Sequence, residues 1–194
     1  MEKRLLLLAL FFIQIAAAQT ESIFTYNEYG WSITIPAGYN NVDIKEWEKL
    51  QGRGLNLMED AYNTDLSEVV QPIETLKVVK KGQYNYLEVL RQDFDTAVDG
   101  DHEEVCRAVA DVLVETFTQT MPGSKIEVHS GKEIISGKTF VNNRINVTFP
   151  NGMQFVANMY SCLIGKKEFV INIMYLDKEE GERLLNAFKN STFK

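Results

Sequence analysis

The chain has 194 residues, with 20 Lys and Arg against 27 Asp and Glu and a formal net charge of −7. That acidity, with lysines scattered rather than clustered, argues against nucleic acid as a partner and disfavours anionic membrane surfaces. The size and the 45 % hydrophobic content suit one domain whose core needs no cross-link or metal, and no internal repeat or low-complexity tract divides it.

Residues 1–18 read as a signal peptide. Glu2-Lys3-Arg4 gives a basic start, Leu5 to Ile15 is apolar except for Gln14, and Ala16-Ala17-Ala18 supplies small residues for cleavage between Ala18 and Gln19. The apolar run is about half of the roughly 20 residues that a bilayer span requires. No cysteine follows it to carry a lipid, so a lipoprotein is not expected. The expected product, 19–194, is a single exported domain, periplasmic or secreted, without stable membrane insertion.

Phe24–Tyr29 and Trp31–Ile35 form a predicted hairpin, with Trp31, Ile33 and Ile35 on one side and Ser32 and Thr34 on the other. Pro36 stops the second strand. Asp43-Ile44-Lys45-Glu46 has the form of a capping box, which predicts a helix to about Tyr62 with Trp47, Leu50, Leu55, Met58 and Ala61 as its apolar side. Thr64–Ile73 is a connector. A second hairpin follows, Thr75–Lys80 and Tyr84–Phe94 around Lys81-Gly82-Gln83. Asp101-His102-Glu103-Glu104 caps the best-patterned helix. It ends near Met121, with Val105, Val109, Val112, Leu113 and Phe117 as the expected buried stripe. Three strands are then predicted, Lys125–Ser130, Lys132–Ile135 and Thr139–Phe149.

Asn151-Gly152 is the preferred pair for a type I′ turn, which requires positive φ at both central residues. The strands on either side of Gly165-Lys166, Met153–Ile164 and Glu168–Leu176, carry apolar residues on both faces, as central strands covered from two sides do. Asp177 caps a last helix lined by Gly181, Leu184, Leu185 and Phe188. The fold class expected is α+β, a mainly antiparallel sheet with helices on both faces. On this reading the closing hairpin is structural. A functional surface is expected on edge strands, on Thr64–Ile73 or on the acidic loop Asp93–Asp101.

Four features together resemble the PsbP-like α/β/α sandwich: Trp31-Ser32-Ile33-Thr34-Ile35-Pro36, the hairpin feeding a long helix, the Ser136-Gly137-Lys138-Thr139-Phe140 entry to a long strand, and the hairpin-helix ending Ser191-Thr192-Phe193. That superfamily includes the photosystem subunit PsbP, a Ran-binding import factor and DcrB-like periplasmic lipoproteins. The resemblance implies an accessory domain that acts by binding partners. It transfers no functional residue to this chain, and the absent lipid-attachment cysteine departs from the DcrB-like branch.

Chemical motifs are sparse. Gly137-Lys138-Thr139 is not a phosphate-binding loop, because five residues rather than four separate Gly131 from Gly137 and a strand follows instead of a helix. Asp95, Asp99 and Asp101 are a weak calcium candidate without EF-hand spacing, and the competing reading is a solvated loop with helix-start carboxylates. The chain has two histidines, His102 and His129, no C-x-x-C, no H-E-x-x-H and no G-x-S-x-G. Cys106 and Cys162 read either as a disulfide between helix and sheet or as two separately buried thiols. Neither a cofactor nor catalytic residues are expected. The favoured function is an exported non-catalytic binding or accessory domain for an unknown protein or envelope component. The alternative is a hydrolase with paired carboxylates or a calcium-assisted site near residues 93–101.

Overall fold

The computed structural model describes residues 20–52 and 73–194. The signal peptide with its Ala18–Gln19 boundary, the first helix beyond residue 52 and the connector up to residue 72 lie outside the described residues.

The chain begins with a hairpin of β1 (Ser22–Tyr26) and β2 (Trp31–Ile35), joined through a 3-10 turn at Asn27–Tyr29. The two-residue strand β3 (Asn40–Asn41) and helix α1 (44–52) follow. Asp43 caps α1 as expected, its Oδ1 accepting from the Glu46 amide at 3.1 Å. Then come β4 (Glu74–Lys81), β5 (Asn85–Asp93), a short helix α2 (Thr96–Asp99) and the long helix α3 (His102–Thr120). Four long strands complete the sheet: β6 (Lys125–Ile135), β7 (Lys138–Thr148), β8 (Gln154–Ile164) and β9 (Lys167–Tyr175). Helix α4 (Lys178–Lys189) and the short β10 (Thr192–Phe193) end the chain.

The described strands form two antiparallel sheets. The larger has the order β3-β4-β5-β9-β8-β7-β6, and β1-β2-β10 makes the smaller. The closing hairpin β8-β9 therefore lies in the interior of the large sheet, as its two-sided apolar pattern predicts. The Trp31 strand instead belongs to the separate small sheet, held partly by the last residues of the chain.

Alternation along each strand divides the large sheet into two faces. One face packs with α4 and the small sheet around Trp31, Phe140, Phe169, Leu184 and Phe188, all fully buried. The other lies beneath α3, where Ile145, Val147 and Ala157 form a smaller apolar cluster with Leu113, Val114 and Phe117.

Several local expectations change. The three predicted strands after α3 are two, because β6 runs unbroken through Gly131, paired with Asn142. The turn at Asn151-Gly152 is not type I′. Gly152 has φ 82° but Asn151 is not among the positive-φ residues, and the amide of Gly152 donates back to the Phe149 carbonyl. Asn151 holds this loop through its side chain, with Oδ1 accepting from the Met153 amide at 3.0 Å. The positive-φ pair lies instead at Ser136-Gly137, with φ 47° and 79°, joining β6 to β7. The Gly-Lys-Thr segment is thus a hairpin turn leading into a strand.

The buried stripe of α3 follows the expected one in part: Leu113 and Phe117 pack on the sheet as expected. Cys106 and Ala110 are buried, whereas Val109 and Val112 are 49 % and 43 % exposed. The expected stripe followed the largest apolar residues. Closest to the sheet is the side on which His102, Cys106 and Ala110 follow one another at four-residue spacing, with Val105 and Val109 beside it.

Candidate functional site

Beneath α3 the sheet face is apolar at one end and polar toward β5 and the start of β9. Glu88 and Gln92 on β5, Asn143 on β7, Ser161 on β8, and Glu168 and Asn172 on β9 all project from it. Glu88 and Glu168 are each only 5 % exposed. Buried carboxylates need partners, and each has a different set.

Glu88 is held by neutral donors. Trp47 Nε1 donates to Oε1, Gln51 Nε2 donates to the same oxygen at 2.5 Å, and Asn172 Nδ2 donates to Oε2 at 3.1 Å. Burial outweighs these bonds and holds the Glu88 carboxyl above its ordinary value.

Glu168 sits at the centre of the second set. Ser161 Oγ donates to its Oε1 at 2.5 Å, Gln92 Nε2 donates to Oε2 at 2.5 Å, and His102 Nε2 lies 3.1 Å from Oε1. The same His102 nitrogen is 2.8 Å from Ser161 Oγ and 3.5 Å from Cys106 Sγ, and that sulfur is 3.9 Å from Glu168 Oε1. Burial raises the Glu168 carboxyl, but the hydrogen bonds from His102, Ser161 and Gln92 outweigh it and the net direction is down. For His102 burial acts downward, and the interactions with Cys106 and Glu168 prevail to lift it to about 9.

Local structure accounts for these positions. Asp101 caps α3, its Oδ1 accepting from the Glu104 amide at 3.0 Å, so His102 falls in the first turn and Cys106 one turn later on the same side. Phe94 packs edge-on to the His102 ring with centroids 5.2 Å apart. Asn143 Nδ2 donates to the Cys106 carbonyl at 2.9 Å, tying the helix to β7. Ser161 and Glu168 face α3 because they alternate with Cys162 and Phe169, which belong to the opposite core.

A cavity of about 350 Å³ adjoins this cluster. Leu90, Val105, Val109, Met159 and Val170 form much of its apolar wall, and Gln92, Cys106, Ser161 and Glu168 form its polar end.

The candidates named from sequence are arranged differently. Asp95 caps α2 through the Ala97 amide and pairs with Lys166 at 2.9 Å, Asp99 accepts from the Asp95 amide at 2.6 Å, and Asp101 caps α3. Their carboxylates are thus engaged at the starts of α2 and α3. Among the described residues, the convergent set of metal-ligating types is His102, Cys106 and Glu168, whose donor atoms lie within 4.8 Å of one another. The disulfide between Cys106 and Cys162 is not formed: both thiols are free and buried, Cys106 under α3 and Cys162 in the core beneath α4. Burial pushes the Cys162 thiol up to about 12, which marks it as an inert core residue.

Sequence reasoning missed this cluster. Its one local signal is the His102–Cys106 spacing, and Ser161 and Glu168 lie on the hairpin read as purely structural. Among the described residues no helix is long and apolar enough to cross a membrane.

No protein-family model matches the chain, and no curated protein matches it by sequence. Solved structures do. The cyanobacterial PsbP (CyanoP) of Synechocystis sp. PCC 6803 superposes with a TM-score of 0.53 at 10 % identity, over 91 % of this chain and 94 % of that one. The fold is PsbP-like. A protein of unknown function from Pseudomonas aeruginosa aligns over 87 % of this chain and 91 % of its own at 12 % identity, with a TM-score of 0.36, too loose to add to that assignment. The PsbP-like sandwich inferred from the sequence is therefore the observed architecture, with helices on both faces of an antiparallel sheet.

Proposed function

We propose that residues 19–194 form a single exported, non-catalytic accessory domain that acts by binding a small, largely apolar molecule beneath α3. The observation that carries this reading is the cavity of about 350 Å³ between α3 and the sheet, apolar on its walls and polar at one end. Binding sites of this kind combine an apolar lining with a few convergent polar groups, and Gln92, Ser161 and Glu168 supply that end here. The basic, apolar and small-residue order of residues 1–18 supports export. The PsbP-like fold supports an accessory role by analogy only, since one fold hosts many functions. On this reading the domain presents its bound molecule to a protein or envelope component.

Native mass spectrometry of the chain purified from its exporting host tests the proposal. A single co-purifying small molecule should appear, and Val170→Phe, which fills the cavity from its floor, should abolish it while leaving the fold intact. A chain that carries nothing, and whose melting temperature no apolar small molecule raises, would overturn the reading.

A further inference from the structure

We propose that His102, Cys106 and Glu168 form a zinc(II) site with three protein ligands and a fourth position open to the cavity. The inference stands on donor geometry; its open position shares the cavity of the small-molecule reading, but metal binding is read without that molecule, so the two can fail separately.

Zinc binds nitrogen and carboxylate oxygen at about 2.0–2.2 Å and thiolate sulfur at about 2.3 Å, so tetrahedral angles place N and O about 3.4 Å apart and S about 3.6 Å from either. The observed edges of the triangle are 3.1 Å for His102 Nε2 to Glu168 Oε1, 3.5 Å for Cys106 Sγ to His102 Nε2, and 3.9 Å for Cys106 Sγ to Glu168 Oε1. Each edge lies within about 0.3 Å of the ideal.

The pattern differs from a Cys-His-carboxylate catalytic arrangement, in which the carboxylate orients one ring nitrogen and the other nitrogen faces the sulfur. Here carboxylate and sulfur both converge on Nε2. With Ser161 Oγ 2.8 Å away as well, three groups of different chemistry gather at one nitrogen, an arrangement that a shared cation with the hydroxyl as outer-shell partner would satisfy.

The surroundings fit a held site. Gln92 Nε2 donates to the second carboxylate oxygen of Glu168 and Ser161 Oγ to the first, each at 2.5 Å, fixing the ligand in the manner of outer-shell partners. Phe94 sets the plane of the imidazole. Asn143 anchors the turn of α3 that carries Cys106. Glu168 is 5 % exposed and Cys106 7 % exposed, so the ion would be shielded on the sheet side. Cys106 and Glu168 also line the cavity, which places the open position there. A nitrogen, sulfur and carboxylate set suits zinc rather than calcium or magnesium, which take oxygen ligands. Binding requires a neutral His102 and a Cys106 thiolate, so loading releases protons to solvent.

The test uses the chain purified under reducing conditions, freed of metal with a chelator, and titrated with Zn(II) and with Co(II). The expected result is one equivalent of Zn(II) per chain. Co(II) should give a thiolate-to-metal charge-transfer band and the intense visible bands of a four-coordinate ion. Cys106→Ser should remove the charge-transfer band while circular dichroism stays native, and Cys162→Ser should retain it. Ser161→Ala should weaken zinc by about 10-fold, the effect of removing an outer-shell partner. Less than stoichiometric binding, or a charge-transfer band that survives Cys106→Ser or is lost with Cys162→Ser, would overturn the site.

Discussion

Toward α4 the large sheet presents Phe140, Phe169, Ile171 and Ile173, all fully buried, and the helix answers with Leu184 and Phe188. Toward α3 the same strands present Gln92, Asn143, Ser161 and Glu168, and a cavity remains beside them. The first face is closed by aromatic rings meeting edge to face. Phe188 lies 5.3 Å from Phe140 and 4.9 Å from Tyr160, and Trp31 lies 5.2 Å from Phe169. The second face has exchanged part of that packing for buried polar groups, which favour a specific arrangement more than they add stability. One sheet thus carries a stabilising face and a face proposed for recognition, and the two should be separately perturbable.

The largest loss is expected at Phe188→Ala, about 3–5 kcal/mol by urea unfolding, because the ring is fully buried and leaves a cavity. Gly181→Ala should cost about 1–3 kcal/mol, since a Cβ there would lie 2.1 Å from the Tyr175 ring and force one of them to move. Trp31→Phe removes the 2.9 Å hydrogen bond from Nε1 to the buried Ser191 Oγ and should cost about 1–2 kcal/mol. On the recognition face, Leu113→Ala should cost only about 1 kcal/mol, because that side chain borders the cavity and is half-buried. A loss there equal to that of Phe188→Ala would erase the distinction between the faces.

The smallest effect is a pH dependence at Glu88. Its folded-state carboxyl lies above the ordinary 4.5 because of burial, so the folded state binds the proton more readily than the unfolded chain. This contribution is complete below pH 4.5 and is lost as pH rises through the folded-state value. Glu88→Gln should therefore gain stability relative to the parent as pH rises from 4 to 7, read from melting temperatures across that range. A difference that is flat or reversed with pH would mean that the donors Trp47, Gln51 and Asn172 outweigh burial.

The stabilising face was legible in the sequence because large apolar side chains recur there at the periods of strand and helix. Trp31, Ile33 and Ile35, and Leu184 and Phe188, follow from spacing alone, as does the interior position of β8-β9. The separation of β2 into a small sheet was not legible, since it depends on Thr192 and Phe193 returning to pair with Ser32 and Trp31. The recognition face was hidden for a different reason. His102 comes from the start of α3 and Ser161 and Glu168 from the β8-β9 hairpin, 59 and 66 residues later, and only pairing register and the placement of α3 bring them together. Apolar strength found Leu113 and Phe117 but placed Val109 and Val112 fully inward, whereas both are partly exposed and the smaller Cys106 and Ala110 are the buried residues.

The most direct test of the division between faces is amide-resolved NMR of the chain during titration with a medium-chain alcohol. The account predicts saturable shifts confined to residues around the cavity, Leu90, Val105, Met159 and Val170 among them, with Trp31, Phe140 and Phe188 unmoved. Shifts centred on the α4 core, or none at any residue, would contradict it.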